Sequence, residues 1–273
     1  MRTEWTHDVG AYLGVVQSFL EADPVVCSVL LTTPIGRGEP LDPATPNIWC
    51  WAELDGDVVA VAQHTPPFGV YVSPGEGEAL ASLAGLMHQL RPGVPSVGGV
   101  RRAVDAFTGA WPGRVGVEAM ATHLYACSAG DLVAPTVPGH LRLARSEDAD
   151  ILRTWVDGFV ADTGVPAPVR TDVDERIAAG RLWVWQVDEQ LVSMAGTQLP
   201  VGGVARVSLV YTPPEQRGRG WAAACTAGVT SLQHERGLTC MLYADAANPV
   251  SNGVYTRIGY RHVAEAVDRE LLR

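Results

Sequence analysis

The sequence predicts an α/β protein built from two similar halves, and three observations support this. The segment WCWAELDGDVVAVAQHTPP, from Trp49, aligns with WVWQVDEQLVSMAGTQLP, from Trp183, with one single-residue gap. Strand patterns alternate with helical patterns in both halves. In the second half, the apolar run SLVY is followed by a glycine-rich turn and then by a helical segment.

Composition limits the function. The chain has 273 residues, 47% of them hydrophobic, which is enough for two cores. Its net charge is −10, and all 20 of its basic residues are arginine. We therefore expect no nucleic-acid partner and favour a cationic amine. The N-terminal segment carries acidic residues instead of the basic residues of a secretion signal, and no segment has the apolar length of a membrane span. We expect a cytoplasmic protein without a membrane partner.

The first half begins with a helical pattern from Tyr12 to Leu20, which Pro24 interrupts. A second apolar stretch, 25–31, leads into a proline-rich segment that predicts a loop over 33–47. Two strands joined by a short acidic turn come next, followed by strand, helix and strand to about Cys127. Prolines at 135 and 138 indicate the connection, so the expected halves are 1–138 and 139–273.

The second half repeats this plan from a strand at 141–145. A helix follows whose apolar face includes Leu152 and Trp155, and then a polar loop over 161–171. A short helix from Asp172, two paired strands over 182–198 and a third strand over 205–211 complete the segment.

The segment TPPEQRGRGWAAA, 212–224, connects this last strand to a helix that Gly237 ends. Gly218 and Gly220 allow a tight turn, and the helix N-terminus favours an anion. The segment lacks the lysine of a P-loop and the third glycine of a dinucleotide-binding turn. It therefore predicts a pyrophosphate site of another kind.

A second motif, NPVSNGVYTRIGY, follows the next apolar strand. Asn248 is a good helix cap, and Pro249 is favoured as the first helical residue. The short helix carries Asn252 and Tyr255 and ends at Gly259.

In this order, the two motifs resemble the GCN5-related N-acetyltransferase (GNAT) superfamily over about 140–272. The resemblance implies two GNAT-like halves, each a mixed, mostly antiparallel sheet flanked by helices. It also implies transfer of an acetyl group from acetyl-CoA to a primary amine of a small molecule or peptide, by direct attack. The donor-binding residues implied are Leu209 and Val210 for the pantetheine arm, Gln216, Arg217, Gly218, Arg219, Gly220, Trp221 and Ala222 for the pyrophosphate, and Asn248 and Asn252 for the pantetheine or the helix cap.

By the same resemblance, Tyr255 protonates the departing thiolate. The strand before the turn lacks the carboxylate that many relatives use as a general base. Asp245 is our first candidate, and a water held by Ser208 or Thr197 is an alternative. The remaining candidates are His64 and His123 as bases from the first half, and Asp157, Asp162 and Asp172 as contacts for the amine.

The first half differs at its corresponding turn, where Glu76 and Glu78 stand in place of arginines. We therefore expect it to be a degenerate copy that binds no cofactor. The five cysteines are scattered without metal-ligand spacing, so we expect buried thiols, no metal and no covalent catalysis. A non-catalytic CoA-responsive protein and a longer acyl donor stay open as alternatives, as do a monomer and a homodimer.

Overall fold

A computed structural model describes residues 1–164 and 172–272. The chain forms two compact units. The first contains residues 1–124 and the C-terminal segment that begins at Val263, and the second contains residues 125–262. This division differs from the predicted boundary at 138 because strand pairing places the C-terminal segment in the first unit.

The first unit contains four helices among the described residues: α1 (Val9–Glu21), α2 (Ser28–Arg37), α3 (Gly77–Leu90) and α4 (Arg101–Gly109). Its strands are β1 (Arg2–Thr6), β2 (Ile48–Leu54), β3 (Asp57–His64), β4 (Val70–Val72), β5 (Ser96–Val100) and most of β6 (Arg114–Cys127) and β12 (Arg261–Leu272). The strand order is β1-β2-β3-β4-β5-β12-β6. Strands β4 and β5 are parallel, whereas the other pairs with a recorded register are antiparallel.

Side-chain alternation along β2 divides the first core into two layers. Trp49 stacks on Tyr12 of α1, with ring centroids 5.3 Å apart. Its neighbours Ile48 and Cys50 instead join the cluster that contains Leu83 of α3. Helices therefore cover both faces of this sheet.

The C-terminal strand β12 is an inner strand of the first unit. It pairs antiparallel with β5, from Ala266 opposite Val100 to Glu270 opposite Ser96. Arg101 donates hydrogen bonds to Glu118 and Glu265. These bonds hold the pKa of both carboxyl groups below the usual range for glutamate.

The second unit has the strand order β11-β10-β9-β8-β7, with the end of β6 beside β11. Its described elements are β7 (His140–Leu143), α5 (Ala149–Thr163), α6 (Val173–Ala178), β8 (Leu182–Val187), β9 (Gln190–Thr197), β10 (Val204–Tyr211), α7 (Trp221–Glu235), β11 (Thr239–Asp245) and α8 (Pro249–Arg257). Strands β10 and β11 are parallel, and the pairs from β10 to β7 are antiparallel. Each unit is thus a mixed, mostly antiparallel sheet flanked by helices, which confirms the predicted fold class.

Two apolar clusters hold the second unit together. One joins Leu152 and Trp155 of α5 to Leu209, and the other joins Val229 of α7 to Tyr255 of α8. Within the described ranges, none of the helices has the length and apolarity needed to cross a membrane.

Candidate functional site

The parallel strands β10 and β11 stop pairing partway along their length. Their register runs from Val204 opposite Thr239 to Arg206 opposite Met241 and, in the described part of the chain, goes no further. On its other edge, β10 shifts register against β9 between Ser208 and Tyr211. This shift is a β-bulge, which bends the strand and releases backbone N–H and C=O groups from the hydrogen-bond ladder. The later halves of β10 and β11 can therefore pair with an extended ligand.

Leu209 lies in the bulge with φ at +53°, a strained conformation for a leucine. Its side chain is buried in the cluster beside α5, whereas Val210 packs against the cluster beside α7. Because these two side chains enter different apolar clusters, the backbone groups of Leu209 and Val210 lie at the edges of β10. The neighbouring Ser208 hydroxyl is buried and has no hydrogen-bond partner among the described residues.

The glycine-rich turn follows β10 directly. Gly218 and Gly220 have φ of +78° and +84°, in the left-handed region that favours glycine. Gly220 is the N-terminal cap residue of α7, and Ala224 donates the first backbone hydrogen bond to its carbonyl. The amides of Trp221 and Ala222 therefore lie in the first turn of α7, where an anion is favoured.

The two arginines of the turn have different surroundings. Arg217 donates to the Asp162 carboxylate over 2.5 Å and to the Thr212 carbonyl over 3.0 Å. Arg219 is exposed and forms no ion pair within the ranges the structure describes. Gln216 ends a short 3-10 turn and is half-buried. Arg219 is therefore the more available cation for a phosphate.

The start of α8 is held by two asparagines. Asn248 is the helix cap, and its side chain accepts from the Ser251 amide over 3.1 Å. Asn252 donates to the carbonyls of Asp245 and Asn248 over 2.9 and 2.8 Å. Asp245 is exposed at the end of β11, and its carboxylate accepts from the Ala247 amide. The helix-cap role expected for Asn248 is therefore confirmed.

Tyr255 is the buried side chain of α8, with 8% of its surface exposed. Its ring centroid lies 6.4 Å from that of Tyr125 and 6.1 Å from that of Tyr260. Burial raises the pKa of Tyr255 to about 12, because the charged phenolate would lose its hydration. The phenol therefore stays protonated at neutral pH, as a proton donor requires.

The sequence and the structure of the chain are both similar to those of known proteins. Residues 187–268 match the family model described as FR47-like protein. A GNAT-family acetyltransferase from Colwellia psychrerythraea superposes with a TM-score of 0.63 at 13% identity, and the match covers all of both chains. A GCN5-related N-acetyltransferase from Kribbella flavida gives 0.57 at 17% identity, over 78% of this chain and 87% of that one. The chain has the GNAT fold.

A tandem GNAT protein from the clavulanic acid biosynthesis pathway also matches, with a TM-score of 0.56 at 12% identity over 98% of each chain. The comparison with curated protein sequences finds no match. The resemblance predicted from the two motifs is thus confirmed at the level of the GNAT fold.

The cysteines of this GNAT fold are buried thiols. Burial raises the pKa of Cys240 to about 12 and that of Cys127 to about 11. Burial also raises the pKa of Cys225, which lies in α7. A thiol of this kind is a poor nucleophile at neutral pH, since the thiolate is the reactive form.

The aspartates predicted to meet an amine do not form one group. Asp162 pairs with Arg217, and Asp172 caps α6 by accepting from the Glu175 amide. Asp157 is exposed on α5. Most of the polar loop predicted over 161–171, namely residues 165–171, lies outside the described residues.

The first unit departs from the second at the corresponding turn. Glu76 is the cap residue of α3, and Glu78 lies in its first turn. The short strand β4 pairs with β5 at Val70 and Tyr71. In the same unit, His64 is buried, and its pKa is lowered to about 4 by desolvation and then by the charge of Arg91. His64 is therefore a neutral imidazole at pH 7.

Sequence reasoning missed two features of the site. The positive φ of Leu209 has no local signal, because leucine is not a residue that favours this conformation. The hydrogen bond from the Tyr125 hydroxyl to Asn252 joins residues 127 positions apart. The one sequence signal for this bond is a tyrosine, Tyr125, near the end of a predicted strand.

Proposed function

We propose that the chain is an N-acetyltransferase that transfers the acetyl group of acetyl-CoA to a primary amine of a small molecule or peptide. The observation that carries this proposal is that β10 and β11 stop pairing with each other directly before a turn with two left-handed glycines and a helix N-terminus. A long ligand with an anionic centre and an extended amide arm fits that combination.

The residues present fit acetyl-CoA. The amides of the first turn of α7 and the side chain of Arg219 supply donors for a pyrophosphate. The backbone N–H and C=O groups of Leu209 and Val210 would pair with the pantetheine amides, and a backbone N–H of this pair would polarise the thioester carbonyl. When bound, acetyl-CoA would supply the acetyl group as a thioester.

We assign the final proton transfer to Tyr255. Its phenol is neutral at pH 7, so it carries the proton that a departing thiolate requires. Direct attack by a neutral amine agrees with the raised pKa values of the cysteines, which disfavour a covalent acyl-enzyme.

For removal of the proton from the amine, we retain Asp245 and a water held by Ser208 or Thr197 as the candidates. Asp245 is exposed and lies directly before α8, whereas the Ser208 hydroxyl is buried in the bulge. Asp245→Asn should lower the rate of thiol release by about 100-fold or more if Asp245 is the base. An unchanged rate would exclude Asp245 and leave the water as the candidate.

We further propose that each chain binds one acetyl-CoA, in the second unit. The carboxylates of Glu76 and Glu78 at the start of α3 would repel a pyrophosphate. The first unit is then a non-binding copy, as its sequence predicts.

Calorimetric titration with acetyl-CoA tests this proposal, with Gly220→Val as the variant and Gly237→Val as its matched control. These glycines flank the same helix with similar backbone angles, φ +84° and +75°. Each substitution therefore imposes a similar strain, about 1–3 kcal/mol. One site per chain that is lost only in Gly220→Val supports the proposal. No binding by the native protein, or equal loss in both variants, would refute it.

Binding without thiol release in the presence of any primary amine would favour the non-catalytic alternative. If the protein prefers a longer acyl-CoA, the binding site is as proposed, but the acyl donor is not acetyl-CoA.

A further inference from the structure

The side chain of Asn252 links the end of β11 to the first turn of α8. Its amide nitrogen donates to the carbonyl of Asp245, the last residue of β11, and to that of the cap residue Asn248. Its backbone amide also donates to the Asn248 carbonyl. The orientation of this one side chain therefore affects how α8 leaves the strand.

Asn252 is held in turn by Tyr125. The Tyr125 hydroxyl donates to the amide oxygen of Asn252 over 3.0 Å. This bond fixes which end of the amide faces the carbonyls, because an amide has one acceptor oxygen and one donor nitrogen. Tyr125 lies near the end of β6, is 6% exposed, and belongs to the same apolar cluster as Tyr255.

The surroundings of Tyr125 leave space beside it. A pocket of about 410 Å³ that opens to solvent is lined by Tyr125, Asp131, Thr256 and the segment 259–262. A pocket removes partner atoms on one side of a ring. The Tyr125 ring keeps an edge contact with His262, with ring centroids 5.8 Å apart, and the hydrogen bond to Asn252 adds to that contact in fixing the tyrosine.

We propose that Tyr125 is a positioning residue for α8: through Asn252 it sets the place of the helix and so of the Tyr255 phenol. The catalytic part of this inference rests on the function proposed above. The structural part, that Tyr125 holds α8, stands without it.

The test compares Tyr125→Phe with Tyr260→Phe. Tyr260 is a suitable control because it is buried in the same cluster and its hydroxyl bonds to Thr230 over 2.6 Å, away from Asn252. In amide hydrogen exchange, we expect residues 249–257 to exchange about threefold to tenfold faster in Tyr125→Phe, because this variant loses one net hydrogen bond. Exchange in this segment should be unchanged in Tyr260→Phe. Equal protection in both variants would overturn the inference.

A double-mutant cycle tests the route through Asn252. In an Asn252→Ala background, Tyr125→Phe should cause no further increase in the exchange of 249–257. An increase as large as that in the native background would show that Tyr125 does not act through Asn252.

The kinetic measurement is thiol release from acetyl-CoA, alongside calorimetric affinity. In Tyr125→Phe we expect kcat to fall about threefold to tenfold while the acetyl-CoA affinity stays within about twofold, because the phosphate turn is not altered. A parallel loss of affinity would indicate general damage to the site and would overturn the positioning role. If the native protein neither binds acetyl-CoA nor releases thiol, the proposed function fails, and the exchange comparison still decides whether Tyr125 holds α8.

Discussion

Arg217 in the glycine-rich turn donates a hydrogen bond to the carboxylate of Asp162 on α5, with the two atoms 2.5 Å apart. Both side chains are 48% exposed, so the pair lies in solvent and contributes little stability. Its larger effect is on the charge of the turn, because the carboxylate neutralises one of the two cations that a pyrophosphate could contact.

Asp162→Asn should therefore strengthen acetyl-CoA binding. We expect an increase of about twofold to fivefold at low salt that declines as salt is added, because the freed cation would be screened. Titration calorimetry at two ionic strengths measures this. Asp157→Asn, on the same helix and also exposed, is the control for net charge. An equal gain in both variants would exclude a specific role for the pair.

Tyr255→Phe should lower thiol release by about 100-fold or more while acetyl-CoA affinity is retained. The raised pKa of Tyr255, about 12, also predicts that the rate does not fall through loss of its proton until the pH approaches that value. Tyr260→Phe provides the control for removal of a buried hydroxyl. A rate decline near pH 10 in the native protein that disappears in Tyr255→Phe would contradict the raised pKa.

Ser208→Ala should raise the stability of the protein. The Ser208 hydroxyl is buried without a hydrogen-bond partner in the described part of the structure, and such a group costs about 1–3 kcal/mol. We expect about 1 kcal/mol of added unfolding free energy from urea denaturation. Ser193→Ala is the contrast, because the Ser193 hydroxyl donates to the Tyr211 carbonyl and this variant should destabilise. Destabilisation by Ser208→Ala would mean that its hydroxyl has a partner, such as the water proposed above as an alternative base.

The pH dependence of stability should reflect Arg101. It lowers the pKa of Glu118 and Glu265 in the folded state. The resulting stabilisation is present above the unfolded-state pKa of glutamate and is lost as pH falls through the lower folded-state pKa. Arg101→Gln should therefore reduce stability at pH 7 and flatten its decline between about pH 5 and pH 3. The exposed neighbour Arg102 provides the control, Arg102→Gln, and identical pH profiles for the two variants would contradict the assignment.

Local signals predicted much of this fold. The spacing of Tyr12 and Leu20 indicated α1, Gly237 predicted the end of α7, and Asn248 with Pro249 predicted the start of α8. Each of these features depends on the conformation or hydrogen bonding of residues within one or two turns of the chain.

The differences between prediction and structure concern features that local sequence does not determine. Pro34 suggested a loop, but α2 continues through it to Arg37. The boundary at 138 was drawn from prolines, whereas the compact units depend on pairing between residues more than 160 positions apart, such as Val100 and Ala266. The side-chain partners of Arg217 and Asn252 likewise lie far away in sequence.

The inner position of β12 has a consequence for the order in which the protein can form. The strand that lies between β5 and β6 in the first sheet is separated from residues 1–124 by the whole of the second unit, residues 125–262. When the ribosome has released residues 1–124, β5 still lacks its partner on that edge and presents unpaired backbone groups, the kind of edge that promotes aggregation. The unit that is synthesised earlier can therefore complete its sheet only after the second unit has been made.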